Sequence, residues 1–110
     1  MVIPAIGQVV LVPFPFSDLS HAKLRPAVVL ADAGRDDWIL CQVTSNPYSD
    51  LKAVQLGEND FILGSLHRAS FARPGKLFTA NMSLIHSEVG RLSPLGFKKV
   101  RDAVSRILEG

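Results

Sequence analysis

The chain has 110 residues, of which 47% are apolar and 20% charged, with a formal net charge of +2. A chain of this length can bury one real core but not two, and its composition excludes the low-hydrophobicity, high-charge class that stays disordered. No apolar run approaches the roughly 20 residues that a membrane-spanning helix needs, and the N-terminal stretch, broken by Pro4, Gly7, Pro13 and Pro15, lacks the positive start of a secretory signal.

The expectation is one domain over residues 1–110, cytoplasmic and without membrane association. The charge is uneven: residues 1–60 hold four Lys/Arg and seven Asp/Glu, residues 61–110 eight and three. A local basic excess can gather phosphates, and it is also what a solvated helix face looks like. The single cysteine, Cys41, lies in an apolar run and reads as a buried strand residue, not a nucleophile.

In chain order, Val9 to Phe14 is a short β-branched, apolar run between Gly7 and Pro15, which predicts a buried first strand. Ser17 to Lys23 reads as a polar loop. Ala27 to Leu30 predicts a second strand, Asp32 to Asp37 a turn, and Trp38 to Val43 a third strand, together an antiparallel meander. Asn46-Pro47 closes the third strand, because a residue before proline is steered away from helix. Lys52 to Leu56 predicts a fourth strand and Ser70 to Thr79 a fifth, with Pro74-Gly75 marking a bulge or kink. Asn81 to His86 suggests a short helical turn. Ser93-Pro94 then signals a helix start, and Phe97, Val100, Val104, Ile107 and Leu108 recur at helical spacing as its docking face. Phe14, Trp38 and Phe61 are expected in the core. The predicted architecture is mainly β with a C-terminal α-helix, a small antiparallel barrel.

Two segments carry a resemblance. Gly7 to Leu19 is a strand running into Phe14-Pro15-Phe16 and a polar loop, and Arg25-Pro26 then opens the apolar run Ala27 to Leu30. This pattern resembles the opening of MazF/PemK-type toxins. Val43-Thr44-Ser45, the stretch Ser70 to Thr79, and Gly90-Arg91-Leu92-Ser93 before the last helix extend the likeness over nearly the whole chain. The resemblance implies an SH3-like barrel of the CcdB/PemK type. It also implies a homodimeric endoribonuclease that cuts single-stranded RNA without a metal or other cofactor, and a cognate antitoxin with an acidic, partly disordered tail. Growth inhibition by cleavage of messenger RNA would follow.

Such cleavage uses the ribose 2′-OH as nucleophile, so it needs a proton acceptor, a donor for the 5′-oxygen and positive charge facing the phosphorane. By the resemblance Arg25 and Thr44 are catalytic. A guanidinium fork matches phosphate oxygens and a hydroxyl can donate to one, although taken alone Arg25 could pair with Asp18 and Thr44 could be a plain strand former. Arginine is a poor base near neutral pH, so His21 in the preceding loop is the candidate for proton transfer, while His67 and His86 have no motif behind them. Ser45 and Asn46 suit either a sugar or base contact or a turn cap. Phe16 and Tyr48 offer stacking faces for unpaired bases, and Lys23, Ser70, Arg73 and Lys76 complete the expected RNA-contacting set. Some PemK-type members carry an aspartate where this chain has Gly75, which favours an Arg25/Thr44 mechanism with Arg73 and Lys76 acting electrostatically.

Two other readings compete. A CcdB-like gyrase-binding module would need a Trp-Gly-Ile ending, and this chain ends Ile107-Leu108-Glu109-Gly110. A barrel that binds RNA or antitoxin without cutting has no excluding feature in the sequence.

Overall fold

The structure is a computed structural model that describes residues 3–14, 23–66 and 68–110. One seven-stranded antiparallel sheet runs through it in the order β4-β6-β3-β2-β1-β7-β5, followed by a C-terminal helix. The first three strands, β1 (Gln8–Pro13), β2 (Leu24–Gly34) and β3 (Asp37–Thr44), form the expected meander. They read as near-continuous apolar runs because both faces are covered. Val9, Val28, Cys41 and Val43 join a core that includes Val100 of the helix. Val10, Val12, Ala27, Val29 and Leu40 point the other way, into a second core closed by Phe14, Ala80 and Ile85. Burial pushes the Cys41 thiol up to about 12, so it behaves as a small apolar side chain that gives its S–H to the Arg73 carbonyl at 3.3 Å.

Four more strands complete the sheet beyond the meander. β4 is only Val54–Leu56, shorter than predicted, and β6 runs Ser70–Asn81. β5 (Phe61–Gly64) and β7 (Ser87–Leu92) were not foreseen, nor was the 3₁₀ turn Glu58–Asp60. β5 is four residues of consecutive apolar side chains ending in glycine, and β7 carries Glu88, Gly90 and Arg91, so neither shows a clear period-2 signal. The short helical turn near Asn81 is present as a 3₁₀ turn at Met82–Leu84, capped by the Asn81 side chain.

The sheet is not closed. β4 pairs only with β6 and β5 only with β7, so barrel describes the fold loosely. The helix α1 (Pro94–Glu109) lies at this seam. Its Lys99 donates to the Gln55 carbonyl of β4 and to the Asp60 carboxylate, both at 3.0 Å. Ser93 caps the helix, its oxygen accepting from Gly96 N–H at 3.0 Å, and its own N–H donates to the Asp60 carbonyl at 2.7 Å. The predicted docking face needs one correction: Leu108 is 74% exposed, and Ala103 is buried in its place. Ile107 in the last turn still meets Gly75 of β6, so the buried face turns toward Ala103 and Ile107 and leaves Leu108 at its margin; alanine is too small to announce a buried position by hydropathy.

Gly96 touches Asp60 so closely that a Cβ there would lie 2.5 Å from the Asp60 carbonyl oxygen. Gly96→Ala should therefore cost about 1–3 kcal/mol through overpacking despite alanine's better helix propensity. Ser93→Ala should cost about 1 kcal/mol through the lost cap. Thermal unfolding checks both; a Gly96→Ala protein as stable as the parent would contradict the close approach.

Candidate functional site

A two-residue turn, Arg35-Asp36, joins β2 to β3 with both residues at positive φ (56° and 64°), the twist that suits an antiparallel hairpin. From there the register moves twice, between Asp32 and Gly34 and between Val29 and Ala31, each shift placing one extra residue in β2. After the second shift Ala27 faces Gln42. Two residues further on each strand come Arg25 and Thr44, on the same side as that pair because side chains alternate. On β1 the partner of Arg25 is Val12, a member of the second core. Arg25 and Thr44 thus continue the face of that core to where it meets solvent.

β6 widens the site. Cys41 pairs with Leu77 and Val43 with Ala72, so Gln42 alone spans the four residues Arg73 to Lys76. Pro74 cannot donate to a ladder, and the expected bulge falls there. It carries Arg73 and Lys76 to the same place as Gln42.

Two adjoining clefts result. One, of about 290 Å³, is lined by Arg25, Pro26, Val43, Thr44, Ser45, Leu66, Arg68 and Ser70. The other, of about 240 Å³, is lined by Phe14, Arg25, Gln42, Thr44, Tyr48, Arg73 and Lys76. Arg25 and Thr44 belong to both. Among the described residues the linings hold four cations and no carboxylate, which is the electrostatic character a phosphate chain would meet favourably.

Arg25 is exposed and makes no hydrogen bond or ion pair with any described residue. Thr44 is half-buried, and its Oγ1 donates to the Asn46 carbonyl at 3.0 Å and accepts from Asn46 N–H at 3.1 Å. Its proton must turn away from Asn46 to reach a ligand. Asn46 acts as a turn cap, its Oδ1 accepting from Tyr48 N–H, and it lines neither cleft, whereas the exposed Ser45 lines the first. Ser70 is only 5% exposed and spends its hydroxyl proton on the Arg68 carbonyl, so it shapes the wall. Lys23 is exposed just before β2 and lines neither cleft. Phe16, Asp18, His21 and His67 lie outside the described residues. His86 is exposed beside β7 and shares a 3.3 Å contact with Ser87.

Three residues were missed by sequence reasoning. Gln42 reads as an ordinary strand residue. Arg68 lies between β5 and β6, and a reading without β5 has no reason to bring that link to the site. Asp50 binds Arg73, Oδ2 to Nε at 3.0 Å, and the Arg73 guanidinium lies 5.7 Å from the centre of the Tyr48 ring. Thr44, Asn46 and Asp50, three short polar side chains each able to bond the backbone two residues on, were the available signal.

The family described as PemK-like, MazF-like toxin of type II toxin-antitoxin system matches residues 5–108. Among curated proteins, no sequence matches the chain closely. Among solved structures, the chain is similar to that of MazE-MazF (Form-III) from Deinococcus radiodurans, at TM-score 0.76 and 18% identity over 98% of each chain. It is similar to an endoribonuclease in complex with its cognate antitoxin from Mycobacterial species, at TM-score 0.72 and 17% identity, covering 99% of this chain and 96% of that one. A third is the Mycobacterium tuberculosis toxin MazF-mt6, at TM-score 0.71 and 12% identity, covering 93% and 96%. At such identities the likeness is one of fold.

The Lys52 backbone N–H, and after it the Arg73 side chain, hold the Asp50 carboxyl below its ordinary value of 3.8. A depressed folded-state pKa means that the stabilisation is complete above the unfolded value and is lost as pH falls through the folded one. In acid titrations followed by circular dichroism below about pH 4, Asp50→Asn should therefore lose less stability than the parent. Parallel acid limbs would show that the carboxylate is not held in this way.

Proposed function

Because the chain belongs to the PemK-like, MazF-like toxin family of type II toxin-antitoxin systems, we propose that it is an endoribonuclease toxin that cuts single-stranded RNA through attack of a ribose 2′-OH. The observation that carries this reading is the meeting of Arg25 and Thr44 in two connected, cation-lined clefts.

In the reaction, the O2′–P bond forms as the P–O5′ bond breaks. The 2′-OH gives up its proton and the leaving 5′-oxygen gains one, so the products end in a 2′,3′-cyclic phosphate and a 5′-hydroxyl. Negative charge grows on the non-bridging phosphate oxygens, and fixed donors aimed there lower the barrier. Arg25 suits that task because its fork has no carboxylate partner among the described residues. Thr44 supplies a second donor once its hydroxyl turns from Asn46. Arg68, Arg73 and Lys76 extend positive charge along the clefts, where they would hold neighbouring phosphates, and Tyr48, 65% exposed, offers a face to an unstacked base. His21 is our candidate for the proton acceptor, on chemistry alone. The acidic antitoxin and the homodimer belong to the same proposal, as do a cytoplasmic site of action and growth arrest. A cationic cleft that accepts a phosphate chain can also accept an acidic peptide.

The purified protein should cut a long single-stranded RNA in the presence of EDTA, with 5′-hydroxyl and cyclic-phosphate ends at the mapped cuts. Arg25→Ala and Thr44→Ala should each lower kcat/KM by about 100-fold or more, the scale for losing one transition-state donor, and Thr44→Ser should retain most activity. Melting should hardly change for Arg25→Ala, which breaks no hydrogen bond or ion pair among the described residues. Cleavage at the wild-type rate by both alanine variants would remove this site from the reaction.

A further inference from the structure

Asp50 lies in the loop between β3 and β4, and that loop is built from its own side chains. Thr44 Oγ1 accepts from Asn46 N–H, Asn46 Oδ1 from Tyr48 N–H at 2.9 Å, and Asp50 Oδ1 from Lys52 N–H at 2.9 Å. Backbone turns interleave with these caps, Asp50 N–H donating to the Pro47 carbonyl and Ala53 N–H to the Asp50 carbonyl. Tyr48 and Ser49 occupy the left-handed region, at φ 54° and 62°, a conformation that non-glycine residues hold only when their surroundings require it. The position of Asp50 is thus set by the loop itself and does not depend on Arg73.

Its second oxygen is the one that meets Arg73. The contact is through Nε, and both side chains are 18% exposed. A guanidinium has five N–H donors, and this bond uses one. No other described side chain takes a hydrogen bond from Arg73. Arg73 lines the second cleft and Asp50 does not, so the carboxylate grips the guanidinium from outside. The Tyr48 ring packs over the same guanidinium while most of its surface stays open to solvent.

We propose that Asp50 is a positioning residue for RNA: by fixing Arg73 through Nε beneath Tyr48, it presents the remaining guanidinium N–H groups to a phosphate and braces the tyrosine ring for the neighbouring base. This rests on the RNA-cleaving reading above and adds a residue to it. A carboxylate near a phosphate site also cancels part of the arginine's charge, and the two effects predict opposite results. Preorganisation prevails here because the phosphate needs only the unused N–H edge, whereas an unheld arginine would have to lose its rotamer freedom on binding.

The test measures binding of a 2′-O-methyl single-stranded oligonucleotide, which cannot be cut, by fluorescence anisotropy, beside a cleavage assay on ordinary RNA. Asp50→Asn keeps an oxygen to cap Lys52, so the loop can persist while the charge on Arg73 is removed. It should weaken binding about tenfold, the scale of coupling within one contact network. Arg73→Ala should weaken it at least as much, and the double variant should bind no more weakly than Arg73→Ala alone. Arg73→Lys, which leaves the loop sequence untouched and keeps the charge, should lose as much as Asp50→Asn and serves as the readout if that variant melts early. Equal or tighter binding by Asp50→Asn and Arg73→Lys, or losses that add in the double variant, would overturn the positioning role. If wild type still cuts RNA in that case, the nuclease reading survives; wild type that neither binds nor cuts overturns both.

Discussion

The register of β2 against β3 is the constraint on which the candidate site depends. Paired residues share a face, and a slip of one residue sends every side chain to the other side. The Arg35-Asp36 turn starts the ladder with Gly34 opposite Asp37, and two extra residues in β2 bring Ala27 opposite Gln42. With one bulge fewer, Arg25 would head toward Ser45, and Thr44 would share its side with Pro26. Burial on both faces locks the chosen register, because Val28 and Cys41 fill one core while Val29 and Leu40 fill the other. A slipped ladder would have to exchange the contents of two cores at once.

The second determinant is where the carboxylates are spent. Asp60 holds Lys99, Glu88 holds Arg91 and Asp102 holds Lys98, all away from the clefts. Asp50 approaches Arg73 from behind. Among its described residues, a chain with a net charge of only +2 therefore gathers Arg25, Arg68, Arg73 and Lys76 in one region. Within it the donors differ in readiness: Arg25 has no described partner, Arg73 is preset by a carboxylate, and Thr44 is occupied by its own turn.

Stability and the candidate clefts are kept apart in this fold. The open seam of the sheet is bridged by α1, whose capped start and Lys99 both converge on Asp60. The clefts gather instead around the ends of β2 and β3, the bulge of β6 and a self-capped loop. Changes at Arg25 or Tyr48 touch little of the core, and Gly96 and Ser93 line neither cleft.

By itself the sequence determined the local choices. Unbroken apolar runs set the three central strands, Ser93-Pro94 and its periodicity set the helix, Pro74-Gly75 set the bulge, and burial of Cys41 followed from its neighbours. The Arg25-Pro26 and Thr44 motifs carry the likeness to the family in the sequence itself, since they are contiguous patterns. Only the tertiary structure decided what is non-local. β5 and β7 draw their stability from partners far along the chain and carry a weak period of their own. The grip of Asp50 on Arg73 spans 23 residues, and Arg68 reaches the cleft through a strand that the pattern did not reveal. Leu108 lost its place to Ala103 because the helix turns the side carrying Ala103 and Ile107 toward β4 and β6. Whether Arg25 meets Thr44 was settled by two bulges, single-residue insertions whose energy lies in cross-strand packing and leaves no mark in composition or spacing.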